Sequence, residues 1–448
     1  MTGTLSPETV YTKLHRIAKL ARECPDMVLQ TLAHHIDLAF LREAYHLTRK
    51  DGAVGVDGKT AEDYATHLDE NLTSLLNRFK AGTYRAPPVR RVHIPKGDGK
   101  TRPLGIPTFE DKILQRAVTM VLQAVYEQDF LACSFGFRPN RSAHQALAAL
   151  WQGLTSMGGG WVLDVDIKGF FDSLVPRHLR AFLDQRVRDG VLRRVIDKWL
   201  KAGVLEDGSL SYPDTGTPQG GVVSPLLANI YLHEVLDKWF ARDVQPRLHG
   251  QAFLVRYADD FVIVCSLESD ARRVMDVLPK RFGNYGLTLH PTKTRLVPFL
   301  RPRSSGGGTP PASNDDPGSF DLLGFTHFWA LSRKGRWMVK RKTAKTRFQR
   351  ALLRVQELCQ SHRHDRVAEQ YRALAQKLRG HFQYYGITGN HQALVWFRLQ
   401  VERTWQKWLN RRSQLLSMPW HRFQRILERY TLPPAKVIQS IYASAAKA

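Results

Sequence analysis

The stretch Phe253-Leu-Val-Arg-Tyr-Ala-Asp-Asp-Phe-Val-Ile-Val264 decides the fold, because it places two adjacent aspartates, Asp259 and Asp260, between two apolar runs. Short apolar runs on either side of a polar break are typical of a β-hairpin. Adjacent carboxylates between buried strands are costly unless a positive group neutralises them. The stretch therefore predicts a hairpin turn that faces a cation, although for the dipeptide alone an ordinary polar turn is the simpler interpretation.

A second acidic strand lies upstream, in Trp161-Val-Leu-Asp-Val-Asp-Ile-Lys-Gly-Phe-Phe-Asp172. Alternate residues of a strand share a face, so Asp164 and Asp166 are expected on the same side. Ligand sets made only of carboxylate oxygens suit Mg²⁺. Two such ions, about 4 Å apart, can activate a 3′-hydroxyl and stabilise a leaving pyrophosphate. The two acidic segments are therefore candidates for the carboxylates of such a metal site.

The chain is strongly basic, since 66 Lys and Arg against 41 Asp and Glu give a formal charge of +25 over 448 residues. Such an excess favours a polyanionic partner, because each neutralised phosphate releases counterions. Nucleic acid is the expected partner, and no amphipathic anchor or lipidation motif favours a membrane. Charge alone does not separate a polymerase from a nuclease or a ribosomal protein.

Composition also predicts whether the chain has a buried core and in which compartment the protein lies. A hydrophobic share of 43% supports a buried core rather than a disordered chain. The sequence has no apolar run of about 18 residues and no N-terminal signal sequence, so a soluble protein of the bacterial cytoplasm is expected. Buried thiols are favoured over a zinc site or disulfides, because the cysteines lie far apart; they are Cys24, Cys133, Cys265 and Cys359.

Helical and strand patterns divide the chain. The first 80 residues are mostly helical around a glycine-rich turn at Asp51–Gly58, and helices return after about residue 340. The Gly-, Pro- and Ser-rich stretch 301–319 is typical of a flexible loop or insertion. The predicted strands are Val89–Pro95, Trp161–Ile167, Phe253–Arg256, Phe261–Cys265 and Phe320–Phe325. The predicted C-terminal helices are Thr346–Cys359, Arg366–Tyr385 and Gln392–Arg412.

Ordered sequence blocks resemble one known family. Tyr257-Ala-Asp-Asp260 resembles the YxDD motif of reverse transcriptases, and Asp166 matches the first aspartate of their palm. The other blocks resemble, in the same order, those of bacterial group II intron-encoded reverse transcriptase/maturases; they are Lys96–Pro107, Ser134–Ser142, Thr217–Tyr231, Gly286–Thr294 and Leu322–Phe325. The resemblance spans about residue 40 to about residue 435.

The resemblance implies an α+β fold: a right-hand polymerase with fingers and palm, followed by an α-helical thumb that is also the maturase domain X. The expected domains are 1–160 for the N-terminal extension and fingers, 161–330 for the palm, and 331–448 for the thumb and domain X. The implied activity is that of an RNA-directed DNA polymerase. Its implied partners are group II intron RNA or another structured RNA, an RNA template with a DNA primer, and deoxynucleotides.

The resemblance also assigns roles to matching residues. Asp166, Asp259 and Asp260 would hold two Mg²⁺ ions. Lys96 and Arg102 would bind the incoming triphosphate, and Gln219 would lie beside the nucleotide pocket. Phe171 would exclude a ribose 2′-hydroxyl by its bulk, with an ordinary core phenylalanine as the alternative. Lys293 would help pyrophosphate to leave, as a general acid.

The C-terminal region is predicted to bind RNA. From Arg333 to Arg354 the chain carries ten Lys or Arg and no Asp or Glu, and aromatic residues accompany the charge. Most of the tryptophans there are expected to fill a helical core. The RNA-binding candidates are Arg333, Lys340, Arg341, Lys342, Lys345, Arg347, Arg411 and Arg412.

The leading functional prediction is a group II intron reverse transcriptase that also binds intron RNA to assist splicing and mobility. One alternative is a stand-alone group II-like reverse transcriptase in phage defence or DNA repair. Another is a non-catalytic RNA-folding splicing cofactor, which would be expected to have lost the carboxylates. An RNA-dependent RNA polymerase is disfavoured by the ring of Phe171. Many family members carry an HNH endonuclease with cysteine pairs; without one here, the DNA primer is expected from another source, such as a replication fork.

Overall fold

The computed structural model describes residues 9–95, 101–206, 209–211, 220–302, 318–332, 334–412 and 417–440. The chain divides into two compact units. Unit 1 comprises Met1–Ala146, Leu163–Ile263 and Ser269–Arg295, and unit 2 comprises Leu147–Val162, Val264–Glu268 and Leu296–Ala448. No helix within the described ranges has the length and apolar character needed to cross a membrane. The domain boundaries near 160 and 330 stay predictions.

Helices occupy much of both ends of the chain, as the sequence predicts. Those in the described residues are α1 (Val10–Glu23), α2 (Leu38–Leu47), α3 (Ala61–Ala65), α4 (Leu68–Lys80), α5 (Phe109–Tyr126), α6 (Ala143–Met157), α7 (Pro176–Asp184), α8 (Gly190–Leu200), α9 (Ser224–Leu232), α10 (Glu268–Gly283), α11 (Lys345–Ser361), α12 (Val367–Tyr385), α13 (His391–Asn410) and α14 (Trp420–Arg429). The three helices predicted near the C-terminus are confirmed as α11, α12 and α13, with end points that differ by a few residues.

The strands lie mainly in the middle of the chain. They are β1 (Val89–Pro95), β2 (Thr101–Ile106), β3 (Gly159–Val165), β4 (Val204–Glu206), β5 (Ser209–Ser211), β6 (Ala252–Tyr257), β7 (Asp260–Cys265), β8 (Arg295–Leu300), β9 (Ser319–Leu322), β10 (Phe325–Leu331) and β11 (Trp337–Thr343). They form three sheets, with strand orders β2-β1-β4-β5, β6-β7-β3-β8 and β11-β10-β9. The combination of helices and mainly antiparallel sheets confirms the α+β class.

One predicted strand is wrong. The stretch Phe320–Phe325 is not a single strand, because Leu323 and Gly324 adopt φ values of 50° and 81° and turn the chain between β9 and β10. After the turn, Phe325 pairs with Leu322 in an antiparallel ladder. The prediction treated Gly324 as part of one apolar strand, whereas this glycine forms the turn of a tight hairpin.

A buried acid ties the helices of unit 1 together. The Asp111 carboxylate on α5 accepts hydrogen bonds from the Tyr84 hydroxyl (2.5 Å) and from Nε1 of Trp199 on α8 (2.6 Å). Burial raises the pKa of Asp111 to about 6, although these donors oppose the shift. Gln115, one turn later on α5, donates to the same carboxylate. This polar cluster fixes α5 against α8 and the segment that leads into β1.

The helices of unit 2 enclose their own apolar core. Trp405 on α13 is fully buried, and its Nε1 donates to Oε1 of Gln370 on α12 at 2.8 Å. Other buried members of the cluster are Val355, Cys359, Leu374, Leu378, Phe382, Leu394, Phe397, Val401, Trp408 and Leu409. The prediction that most tryptophans here fill the core is confirmed for Trp405 and Trp408, while Trp396 is half exposed.

Candidate active site

The Tyr257–Asp260 motif lies in the hairpin between β6 and β7, as the sequence predicts. Every residue of β7 after Asp260 is buried, which fixes the hairpin in the core. The turn holds Ala258 at φ 58°, a left-handed conformation that non-glycine residues adopt at a cost. Asp259 is partly buried, whereas Asp260, the first residue of β7, is exposed. The two adjacent carboxylates therefore have different environments.

Asp166 directly follows β3 and lies beside the segment that carries Lys293. The backbone oxygen of Asp166 accepts from His290 N at 2.8 Å, and Lys168 N donates to Thr288 O at 2.8 Å. Nζ of Lys293 lies 2.6 Å from Oδ2 of Asp166. The structure thus brings together two residues that the sequence assigns to the same reaction.

Charges of both signs act on Asp259. Burial raises the pKa of its carboxyl group, and the negative charge of Asp166 raises it further. Arg102, exposed on β2, and Arg256, buried on β6, oppose the shift. Asp259 therefore lies within electrostatic range of the predicted triphosphate-binding Arg102 as well as of Asp166.

The donor set at the turn suits a hard cation. Asp166 and Asp259 offer only oxygen ligands, and a divalent cation would relieve the repulsion that raises the pKa of Asp259. In the described part of the chain, no three His, Cys, Asp or Glu side chains lie close enough together to form a metal site. The role of Asp166, Asp259 and Asp260 as joint metal ligands therefore stays a prediction.

The two phenylalanines after Asp166 divide between core and surface. Gly169, at φ 55°, starts a short 3₁₀ turn over Phe170–Ser173. Phe170 is 3% exposed, whereas Phe171 is only partly buried, and their rings meet edge to face at 5.3 Å. Of the two rings, Phe171 is the more exposed, and its role beside the nucleotide sugar stays a prediction.

Gly220, next to the predicted nucleotide-pocket residue Gln219, allows a close backbone approach. It has φ 114°, and a Cβ atom there would lie 2.4 Å from the carbonyl oxygen of Gly105 on β2. The glycine therefore makes room for the backbone of β2. Lys96, Gln219, Arg333 and the loop residues 303–317 lie outside the described residues.

A buried polar network beneath the turn was not predicted. Arg256 on β6 is fully buried and is paired with Asp237, which is also fully buried. Arg256 additionally donates to Asn229 in the second half of α9. The signal was present in the sequence, since a lone arginine inside an otherwise apolar strand requires a buried partner.

The RNA-binding candidates of unit 2 differ in exposure. Lys342, Lys345 and Arg347 are exposed at the end of β11 and the start of α11, and Arg411 and Arg412 are exposed just after α13. Nζ of Lys340 donates to Leu331 O at 2.7 Å. The assignment of Arg341 is wrong: it is 3% exposed and donates to Leu147 O, because alternate residues of β11 face the core.

A basic cavity of about 600 Å³ lies in the helical part of unit 2. Cations from α11 and α12 line it, together with the stacked rings of His381 and Phe397, whose centroids are 3.8 Å apart. The cations are Arg347, Arg350, Arg354 and Lys377. Phosphate groups and bases would both find suitable contacts in such a cavity.

Comparisons with known proteins place this geometry in a family. The family described as reverse transcriptase (RNA-dependent DNA polymerase) matches residues 94–327, just over half of the chain. The chain is 32% identical to protein YkfC of Escherichia coli (strain K12) over 321 residues, which are 63% of this chain and 83% of YkfC. It is 39% identical to the group II intron-encoded protein LtrA of Lactococcus lactis subsp. cremoris over 232 residues, 50% of this chain but 38% of LtrA.

A more distant relative is an uncharacterised 91 kDa protein in the cob intron of Schizosaccharomyces pombe, 28% identical over 352 residues, which are 66% of this chain and 43% of that protein. Both intron proteins are thus much longer than the part that this chain matches. The family match covers the acidic hairpin, Asp166 and Lys293 together, and the resemblance to group II intron-encoded proteins that the sequence predicted is confirmed. The chain belongs to the reverse transcriptase (RNA-dependent DNA polymerase) family.

Proposed function

We propose that this protein is an RNA-directed DNA polymerase of the group II intron type, which copies RNA into DNA from a primer. The observation that carries the proposal is the convergence of Asp166, Asp259 and Arg102 in unit 1, with Lys293 bound to Asp166. Acidic groups for metal ions and cations for phosphates are the parts that nucleotidyl transfer requires. An RNA-folding cofactor without catalysis would have no need to keep them together.

Asp166 and Asp259, joined by Asp260, would hold two Mg²⁺ ions in the working enzyme. When bound, such ions favour deprotonation of the primer 3′-hydroxyl and offset the negative charge that develops on the phosphates. The carboxylate oxygens of these residues support this role, because Mg²⁺ prefers oxygen ligands.

The remaining residues act on the nucleotide. Arg102, with Lys96, would bind the triphosphate through charge-assisted hydrogen bonds. Lys293 would exchange its contact with Asp166 for one with the leaving pyrophosphate, and its ammonium holds the proton that the leaving group needs. Phe171 would exclude a 2′-hydroxyl by steric contact, and Gln219 would lie beside the nucleotide.

The helical bundle of unit 2 is proposed to be the thumb and maturase domain X. The exposed cations Lys342, Lys345, Arg347, Arg411 and Arg412 support this assignment. Lys340, which is half-buried, and Arg333, from sequence alone, are further candidates. This surface would bind intron RNA or another structured RNA and the template–primer duplex. Assistance of splicing rests on the similarity to a group II intron-encoded protein, and the domain division 1–160, 161–330 and 331–448 belongs to the same proposal.

Primer extension tests the activity. Wild-type protein would be incubated with an RNA template, a DNA primer and Mg²⁺, with either deoxynucleotides or ribonucleotides. We expect extension with deoxynucleotides only, and a loss on the order of 1,000-fold in Asp259→Ala, because correct placement of charge carries much of the rate enhancement. Asp276→Ala removes an exposed carboxylate on α10 and should extend normally. Near-normal extension by Asp259→Ala would refute the assignment.

A further inference from the structure

A fully buried ion pair lies directly beneath the acidic hairpin. Nε of Arg256 donates to Oδ1 of Asp237 at 2.7 Å, and Nη2 donates to Oδ2 at 2.5 Å. Both side chains are 0% exposed. Burial raises the pKa of Asp237, but the guanidinium of Arg256 more than offsets this and keeps the pKa below its usual value. The pair is therefore charged, bidentate and fixed in orientation.

The remaining nitrogen of the guanidinium reaches the catalytic turn. Nη1 of Arg256 donates to the backbone oxygen of Ala258 and to Oδ1 of Asn229, each at 3.0 Å. The Ala258 carbonyl belongs to the peptide bond that leads into Asp259. Because Ala258 is held at φ 58°, an unfavourable conformation, an external contact is needed to keep it there. Arg256 supplies that contact.

Asn229 extends the network to a second loop. Its Nδ2 donates to Gly136 O at 2.7 Å, and a Cβ atom on Gly136 would lie only 2.3 Å from Ala258 N. Backbone hydrogen bonds join the same loop to β6, from Phe135 N to Arg256 O (2.9 Å) and from Arg256 N to Cys133 O (2.8 Å). The turn is thus enclosed by the 133–136 loop and by the buried guanidinium.

Asp237 lies at the end of a π-helical turn, His233–Asp237. The i→i+5 hydrogen bonds of a π-helix change which face of the helix each following side chain occupies, and such turns are frequent at functional sites. In this chain the irregular turn carries the carboxylate that holds Arg256 in position.

We propose that Arg256, Asp237 and Asn229 are positioning residues for the polymerase reaction, which hold the Ala258–Asp259 peptide in the conformation that the reaction requires. The proposal rests on the proposed function, because it assumes that Asp259 takes part in nucleotidyl transfer. None of the three side chains is accessible to substrate. They act only through the backbone of the turn.

A second buried pair in unit 1 provides the matched control. Arg186 and Asp129 are 8% and 14% exposed, and Nε of Arg186 lies 2.7 Å from Oδ2 of Asp129. Arg186 also donates to the backbone oxygens of Ala21, Cys24 and Met27. This pair holds helix α1 and the segment that follows it, and it makes no contact with the acidic hairpin.

The test compares Asn229→Ala with Asp129→Asn. In Asn229→Ala we expect kcat to fall on the order of 10- to 100-fold, because small displacements of reacting groups have effects of this size. KM for deoxynucleotides and Kd for the template–primer should stay within about twofold. Hydrogen–deuterium exchange, read by mass spectrometry without substrate, should become faster in peptide 253–264. Asp129→Asn should lower Tm while leaving kcat and exchange in this peptide unchanged.

Arg256→Lys provides a second variant in case Asn229→Ala does not fold. It keeps the charge that pairs with Asp237 but cannot also bind Asn229 and the Ala258 carbonyl, because an ammonium lacks the planar fork. The same drop in kcat and faster exchange are expected. The proposal is overturned if kcat and exchange stay at wild-type values, if Asp129→Asn lowers kcat equally, or if neither network variant folds. Failure of the wild type to extend any primer would instead refute the proposed function, and the exchange experiment would still report on the turn.

Discussion

Units 1 and 2 stabilise their buried ionisable groups in opposite ways. In unit 1, Arg256 and Asp237 are both fully buried and form a charged pair. In unit 2, burial lowers the pKa of His327 to about 3, with a contribution from the positive charge of Arg341, and lowers the pKa of His381 to about 4. Arg341 itself is paired with a backbone oxygen rather than with an acid among the described residues. The buried charges of unit 1 are thus paired with each other, whereas the two histidines of unit 2 are held neutral.

This difference suits the two proposed roles. A buried ion pair has a fixed direction, so it can hold a backbone turn that carries a reacting carboxylate. In unit 2, Lys345 and Arg347 are exposed, so phosphates can reach them. The buried ion pair of unit 1 therefore fixes the position of a backbone turn, and the exposed cations of unit 2 are available to bind phosphates.

The largest effect should come from breaking the buried pair. Asp237→Asn leaves the Arg256 guanidinium buried without an anion, and the loss of one partner of a buried pair typically costs about 3–5 kcal/mol. We expect the free energy of unfolding, measured by urea denaturation at pH 7, to fall by about that amount. Glu23→Gln, which breaks the exposed Lys19–Glu23 pair, should change it by less than about 1 kcal/mol. Equal effects in the two variants would remove the distinction between buried and exposed pairs.

Removing the exposed ion pair between Lys293 and Asp166 should instead lower activity and leave stability nearly unchanged. Lys293 is 63% exposed, so Lys293→Gln should barely change stability. Loss of a general acid typically costs about 100-fold or more in rate, and we expect a drop of that order in single-turnover extension. Lys280→Gln, which neutralises an exposed cation on α10, is the control. If Lys293→Gln extended primers at the wild-type rate, the lysine would serve only as a counter-ion to Asp166.

The sequence predicted the parts of this site that depend on local pattern. An acidic turn between apolar runs was enough to predict the β6–β7 hairpin, and β1 has the predicted bounds, Val89–Pro95. The roles of Asp166 and Lys293 came from the family resemblance, and the 2.6 Å contact between them agrees with that assignment without testing the reaction.

The contacts between residues far apart in the sequence were not predicted. Arg256 bonds to residues 19 and 27 positions earlier, and the π-helical turn at Asp237 shifts the side-chain periodicity that would have marked the acid as inward-facing. Arg341 was misplaced for a different reason. The basic residues of β11 obscure its alternation, so a buried arginine was read as part of a cationic surface.

Binding of RNA should depend on the exposed cations of unit 2 and not on its buried ones. Each phosphate contact adds about one to the slope of log Kd against log salt concentration. We expect Lys345→Ala combined with Arg347→Ala to lower that slope by about two, as measured by filter binding across a salt series. The double variant Lys19→Ala with Lys280→Ala, which removes two exposed cations from unit 1, should leave the slope unchanged. The reverse pattern would place the RNA on unit 1.

The smallest effect at neutral pH should come from His327→Phe. The imidazole is fully buried, and neither ring nitrogen has a hydrogen-bond partner among the described residues. The ring stacks on Phe320 with 4.9 Å between centroids, so a phenylalanine keeps the stacking. At pH 7 we expect the free energy of unfolding to change by less than about 1.5 kcal/mol.

At lower pH the two proteins should diverge. Because the folded-state pKa of His327 is about 3 and the unfolded value is about 6.5, the unfolded state binds the extra proton between these limits. Wild-type stability should therefore fall as the pH is lowered below about 6.5, by up to about 1.4 kcal/mol per pH unit from this group. For His327→Phe, the free energy of unfolding measured by urea denaturation should depend less steeply on pH between pH 6 and pH 4, because this histidine no longer contributes. Parallel curves for the two proteins would mean that His327 binds its proton as readily in the folded state as in the unfolded state, and that burial does not hold this histidine neutral.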